Sequence, residues 1–262
     1  MNAWLVLGGI LLATPAHADP GKRLYVRIGG AHIAALTQSR ELELADVDGA
    51  ASLAVENGPI EGSGARVNSA TVPAITVGYR LSDKLAIETV LGIPFTMRFE
   101  ATGTLATESI APTVLGGIMT GVPALGPQLG EAKVAPLLFT LAYQLRALGP
   151  LRPYVGTGLA LLLAFDEHVT NPILTEVSDP EMSIAPAPGI VLQTGAEVTV
   201  WRRFYARLDI KFIALMMARA RVEHIQVRTP GLPLFDTAEV GTANMNVWVN
   251  PLIVQLGIGT DF

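Results

Sequence analysis

Residues 204–216 alternate in character at every step. Phe204, Ala206, Leu208, Ile210, Phe212, Ala214 and Met216 share one side, and Tyr205, Arg207, Asp209 and Lys211 share the other. A helix would place Arg207 and Lys211 on the stripe of Phe204 and Leu208, which suits neither water nor lipid. The period is therefore that of a strand with two unlike faces. The same alternation runs through 85–99, with Leu85, Ile87, Thr89, Leu91, Ile93, Phe95, Met97 and Phe99 set against Glu88, Gly92, Thr96 and Arg98. Backward from Phe262, the residues Thr260, Ile258, Leu256, Val254 and Leu252 face away from Asp261, Gly259, Gly257, Gln255 and Ile253.

Mean hydropathy is +0.43 and 50% of the residues are apolar, which excludes a disordered chain. The long uncharged stretches are poor helices. Ser109–Gly130 holds five Gly and three Pro, and Val240–Thr260 contains Asn244, Asn246, Asn250, Pro251 and Gln255. A chain of this kind crosses a membrane only as a closed barrel, where every backbone polar group is paired. The net charge of −5 and the lack of any recognition module argue against nucleic acid, and the absence of cysteine excludes disulfides and thiolate metal sites.

Residues 1–18 read as a cleaved secretory signal, with an apolar run from Trp4 to Ala13 and Ala16-His17-Ala18 at the cleavage site. Residues 19–262 then form a single all-β domain. Eight strands are placed at 22–36, 69–81, 85–99, 132–146, 152–166, 187–200, 204–218 and 246–262. Short turns (Ser82-Asp83-Lys84, Ala147–Leu151, Trp201-Arg202-Arg203) alternate with long connections (37–68, 100–131, 167–186, 219–245). Short periplasmic turns and long extracellular loops are the pattern of an eight-stranded antiparallel transmembrane β-barrel in the outer membrane of a Gram-negative bacterium. A soluble sandwich or lipocalin-like barrel would turn the apolar face inward instead. The crowding of Gly and Ala among Arg27, Arg80, Glu88, Arg98, Arg146, Glu197, Arg207, Asp209, Lys211 and Asp261 suits an interior of paired charges and favours the membrane barrel.

Several segments together resemble the OmpW (outer membrane protein W) family over nearly the whole mature length. They are Val77-Gly78-Tyr79-Arg80-Leu81-Ser82-Asp83, Ile93-Pro94-Phe95, Arg152-Pro153-Tyr154-Val155-Gly156-Thr157-Gly158 with Phe165-Asp166, Gly195-Ala196-Glu197, and Asn250-Pro251 before Gly257-Ile258-Gly259. Two places depart from the family pattern. Lys133-Val134-Ala135-Pro136-Leu137 keeps one proline of a His-containing Leu-Pro-Pro-Thr stretch, and the chain ends Thr260-Asp261-Phe262 in place of Tyr-Arg-Phe. The resemblance implies an eight-stranded barrel that passes small hydrophobic molecules, with no cofactor, no metal and no enzymatic activity. It also implies outer-membrane lipid and lipopolysaccharide as surroundings, and the barrel-assembly machinery as a partner through the Phe262 strand.

Eight strands enclose a bore just wide enough for side chains, so a water-filled porin is excluded. Four features bear on passage. Glu88, Glu197, Arg207, Asp209 and Lys211 read as a paired plug low in the lumen. Val90, Val134, Leu138 and Leu162 would make an apolar lumen above it. Leu105, Ile110, Leu115, Ile118 and Met119 stand in a connection too greasy for water, as a collar for apolar solutes, a self-packed cap, or a contact with lipid chains. Pro73, Pro94 and Pro136 each remove a ladder donor at one height on three successive strands, either as a lateral exit through the wall or as ordinary rim bulges. Asp166-Glu167-His168 and Glu223-His224 read as loop charge. The leading expectation is a passive channel for small hydrophobic molecules, possible lateral release included; the alternative is a closed structural barrel whose loops bind lipid or a partner.

Overall fold

The computed structural model describes residues 23–115, 117–214, 216–232 and 236–262, so the leader expected at 1–18 lies outside the described residues. Eight wall strands follow one another around a ring. We label them β1 (Leu24–Ser39), β2 (upper Ser63–Val67, lower Ala70–Arg80), β3 (lower Leu85–Gly92, upper Phe95–Gly103), β4 (Gln128–Gln144), β5 (Leu151–Val169), β6 (upper Glu181–Ile184, lower Ala187–Trp201), β7 (lower Phe204–Ala214, upper Met217–Arg228) and β8 (Thr237–Asp261). Each pairs antiparallel with the next. The β1–β8 ladder closes the ring from Tyr25 opposite Asp261 to Ser39 opposite Val247.

Local chemistry sets the short turns. The Ser82 hydroxyl accepts from the Lys84 and Leu85 amides at 3.3 and 3.2 Å, which tightens the β2–β3 hairpin. Arg202, at φ 47°, turns β6 into β7. The first and last strands meet at this short-turn end, where the Phe262 amide donates to the Leu24 carbonyl at 2.8 Å.

The faces sort as the alternation requires. Ile28, Leu159, Leu256 and Ile258 are each more than 60% exposed on the outer wall, while Arg207, Asp209 and Lys211 are at most 5% exposed inside. That is the reverse of a soluble barrel, and it removes the sandwich and lipocalin alternatives. Among the described residues no helix is long and apolar enough to cross a membrane.

The structure differs from the sequence expectation in two ways. Residues 85–99 do not form one strand with one greasy side. Leu91 lies opposite Leu137 and Phe95 opposite Val134, so β3 spends one residue more than β4 over this stretch. The extra residue is a bulge at Ile93-Pro94, and it exchanges the faces above it. Met97 and Phe99 turn inward, both 6% exposed, and the Arg98 side chain turns out, 69% exposed. Arg146 also leaves the interior, standing exposed beside the β4–β5 turn. The second difference is strand length. β4 starts at Gln128, β5 runs to Val169, and the presumed loop 219–245 is largely the upper β7–β8 hairpin. The wall thus rises well above the apolar belt, where the short strand Glu43–Ala45 pairs with β8 and with Gly58–Pro59, and Thr113–Val114 pairs with Ile118–Met119 in a separate hairpin.

Candidate functional site

The lowest layer of the lumen is a charged plug. Three cations (Arg27, Arg207, Lys211) meet three carboxylates (Glu88, Glu197, Asp209), all at most 5% exposed. Glu88 is the hub. It accepts from Tyr25 at 2.7 Å, Arg27 at 2.5 Å, Arg207 at 2.9 Å on each oxygen, and Gln193 at 3.0 Å. Arg207 also donates to Glu197 at 2.9 Å and to the Tyr154 hydroxyl at 2.6 Å, and Lys211 donates to Asp209. Equal numbers of opposite charges, nearly every one hydrogen-bonded, make such a cluster tolerable out of water. The plug residues expected from the sequence are therefore brought together. Tyr25, Tyr154 and Gln193 belong with them and were missed, because an uncharged residue on an inward face gives no sign of which charge it serves.

Glycine makes room for the plug's rings. A Cβ on Gly195 would lie 2.2 Å from the Tyr154 hydroxyl and 2.2 Å from the Leu208 carbonyl, and one on Gly78 would lie 2.1 Å from the Tyr25 ring. At Gly195, backbone on one side and a buried ring on the other leave no room to yield. Gly195→Ala should therefore cost about 1–3 kcal/mol of overpacking, read as an earlier urea midpoint for the folded barrel in lipid vesicles.

Above the plug, Val90, Val134, Leu138 and Leu162 all point inward and are 1–8% exposed, packed with Val191 and Ile213. The open volume lies higher still. A cavity of about 70 Å³ is walled by side chains from every quarter of the upper barrel: Leu42, Leu44, Phe99, Leu105, Ile110, Leu129, Val169, Met182, Val222, Ala243 and Met245 among them. The connection after β3 divides accordingly. Leu105 and Ile110 fold in to line this chamber, while Leu115, Ile118 and Met119 stand out at 72%, 52% and 65% exposure.

Just below the chamber the wall is interrupted. The β3–β4 ladder stops at Leu91–Leu137 and resumes at Phe95–Val134, and the β2–β3 ladder stops at Ala74–Gly92 and resumes at Val67–Phe99. Among the described residues no ladder pair joins 93–94 to 135–136. Pro94 and Pro136 flank the first gap, where a Cβ on Gly92 would touch the Pro136 ring at 3.6 Å. Pro73 stands exposed beside the second, still matched to Gly30 of β1. On the outer face nearby, Lys133 pairs with Asp166 at 2.7 Å and His168 with the same carboxylate at 2.9 Å. Among the described residues no group of acidic and histidine side chains is arranged to hold a metal.

A closed ring of eight antiparallel strands with an apolar outer wall, short turns at one end and a charge-filled lumen defines an outer-membrane β-barrel of a Gram-negative bacterium. The OmpW family model matches residues 35–262, and the chain belongs to that family. It is 25% identical over 251 residues to the dibenzothiophene metabolism operon protein PahQ of Pseudomonas aeruginosa, covering 96% of this chain and 93% of that one. The DoxH protein of Pseudomonas sp. (strain C18), of the same description, matches to the same extent. Among solved structures, the outer membrane protein OprG of Pseudomonas aeruginosa superposes with a TM-score of 0.67 at 19% identity, over 92% of this chain and 96% of that one. The outer membrane protein AlkL superposes with a TM-score of 0.52 at 18% identity, over 97% of each chain.

Proposed function

We propose that this barrel is a passive outer-membrane channel that gathers small hydrophobic molecules in the upper chamber and releases them sideways into the outer leaflet. One observation carries the reading: an all-apolar chamber sits directly above two interruptions of the wall and above a buried cluster of paired charges. A solute without hydrogen-bonding groups loses nothing in such a chamber and would lose much against the charges of the plug. It leaves through the gap beside Pro94 and Pro136 and reaches lipid without crossing water. Leu115, Ile118 and Met119 form the exposed collar at its entrance. The description of PahQ and DoxH favours flat sulfur-containing aromatics as the solute class, and Met182, Met245 and Phe99 supply adaptable, polarisable walls for them. Lipopolysaccharide surrounds the upper wall, and the Phe262 strand addresses the barrel-assembly machinery.

Uptake of radiolabelled dibenzothiophene and of a medium-chain alkane tests this, in cells with and without the protein at matched levels of folded barrel. Wild type should accelerate uptake. Pro94→Ala with Pro136→Ala restores two ladder donors of about 1 kcal/mol each, so lateral release should fall roughly 5- to 30-fold. Acceleration indifferent to these prolines would keep the channel and remove the wall exit. No acceleration at all would favour the closed structural barrel, a reading supported by the packed layer at Val90, Val134, Leu138 and Leu162.

A further inference from the structure

Above its apolar belt the outer wall is not uniform in charge. On the β3–β5 side the outward charges are matched: Arg98 with Glu131 at 3.7 Å, Lys133 with Asp166 at 2.7 Å. On the β7–β8 side some are matched, Arg228 with Glu176 at 2.9 Å among them, and others are not. The register sets three horizontal rows there. Gln38, Trp248 and Met217 form the lowest. Arg40, whose amide donates to the Asn246 carbonyl at 3.0 Å, Asn246 and Arg219 form the next. Glu43, Asn244, Arg221 and Ser183 form the highest. Arg221 is paired with Glu223 at 2.9 Å, but Arg40 and Arg219 have no ion pair among the described residues, and both are exposed. Apart from Gln38, these residues line one open groove on the outside of the barrel.

Height decides what meets this groove. From Thr260 to Trp248, at about 3.3 Å per residue and about 40° of tilt, β8 rises roughly 30 Å. The outward apolar run on β8 ends at Leu252, and an outer-membrane belt is about 25 Å tall, so Trp248 stands at its upper rim. The row of Arg40, Asn246 and Arg219 is one step higher, at the level of lipid headgroups. Two unmatched guanidiniums and an amide above an aromatic rim, with an apolar wall below, suit an amphiphile whose head carries phosphate and whose chains run down the barrel.

We propose that Arg40, Arg219 and Asn246 form a docking site for the phosphorylated glucosamine head of an outer-leaflet glycolipid, with Trp248 against the base of its sugar. The site rests on the membrane placement of the barrel and not on the solute it passes. The full folded chain in dodecyl maltoside, examined by native mass spectrometry, should retain bis-phosphorylated lipid A. Retention should fall at least about tenfold with phosphate-stripped lipid A, and likewise in Arg40→Gln/Arg219→Gln. Arg98→Gln/Lys133→Gln, on the matched face, should retain it as wild type does. If the double Gln variant folds poorly, Arg219→Glu alone, on an exposed position, replaces it with the same expectation. Equal retention by both double variants, or of both lipids, would overturn the site. So would full competition by millimolar inorganic phosphate, which would mark a free-anion site. Hydrocarbon uptake by the Arg40/Arg219 variant should be unchanged, so failure here and failure of the channel reading are separate results.

Discussion

Glu88→Ala should cost the folded barrel about 3–5 kcal/mol, the range found when one partner of a buried ion pair is removed. Glu88 is the acceptor for two guanidiniums, a phenol and an amide. Without it Arg207 keeps Glu197 at 2.9 Å and Asp209 at 3.5 Å, but Arg27 keeps no carboxylate among the described ion pairs. A cation 2% exposed is then left uncompensated. Glu88→Gln should recover only part of the loss, since it preserves shape and some hydrogen bonds but not charge. Glu88→Leu combined with Arg27→Leu should be less damaging than the sum of the two single changes, because the stranded charge goes with its partner. Urea unfolding in lipid vesicles, followed by heat-modifiable migration, reads all five variants. A Glu88→Ala midpoint equal to wild type would mean that the plug is hydrated and carries no stability. Added salt should leave the wild-type midpoint nearly unchanged, because pairs this deeply enclosed are poorly screened.

The plug was legible in the sequence because strand alternation needs only composition at every second residue. Arg207, Asp209 and Lys211 announce an inward face wherever the barrel closes around them. The upper barrel was less legible, for a reason located at Ile93-Pro94. The letters of 85–99 alternate smoothly through the bulge, so nothing in them says that Met97 and Phe99 exchange sides with Leu91. Only the partner strand, one residue shorter between Val134 and Leu137, fixes that exchange. The prolines marked the place, but a missing donor says where a ladder weakens and not which way the chain turns next. The chamber was hidden for a related reason. Its walls come from β3, β4, β5, β6, β7 and β8 and from the segments at Leu42–Leu44 and Leu105–Ile110, read from sequence as loops or as an external collar. The outer basic rows fell in those same connections: Arg219 and Asn244 lie in what read as loop, and only the β7–β8 register sets them beside Asn246 and Arg221.

Ala243→Leu should abolish most hydrocarbon uptake while leaving the barrel as stable as wild type or more so. Ala243 is 7% exposed and lines the chamber, so the longer side chain grows into a space of about 70 Å³. Filling a cavity recovers up to about 24 cal/mol per Å³, a gain of at most roughly 2 kcal/mol here, while a poor rotamer fit would give some of it back. The opposed signs make the variant informative. A mutation that slows uptake by unfolding the protein also lowers the urea midpoint; one that slows uptake by occupying the solute's place does not. If uptake drops at least about tenfold with the midpoint held or raised, the chamber is a station on the route, since about 1.4 kcal/mol of lost solute binding already accounts for that factor. Uptake that stays at the wild-type rate in a folded, chamber-filled barrel would remove the chamber from the path and leave the upper barrel as a packed cap. Pairing Ala243→Leu with Pro94→Ala/Pro136→Ala then orders the steps. If the solute passes through the chamber before it meets the gap, blocking the chamber leaves little flux for the prolines to change. If it enters the wall gap directly from the collar, only the proline changes slow it, and Ala243→Leu adds nothing to their loss.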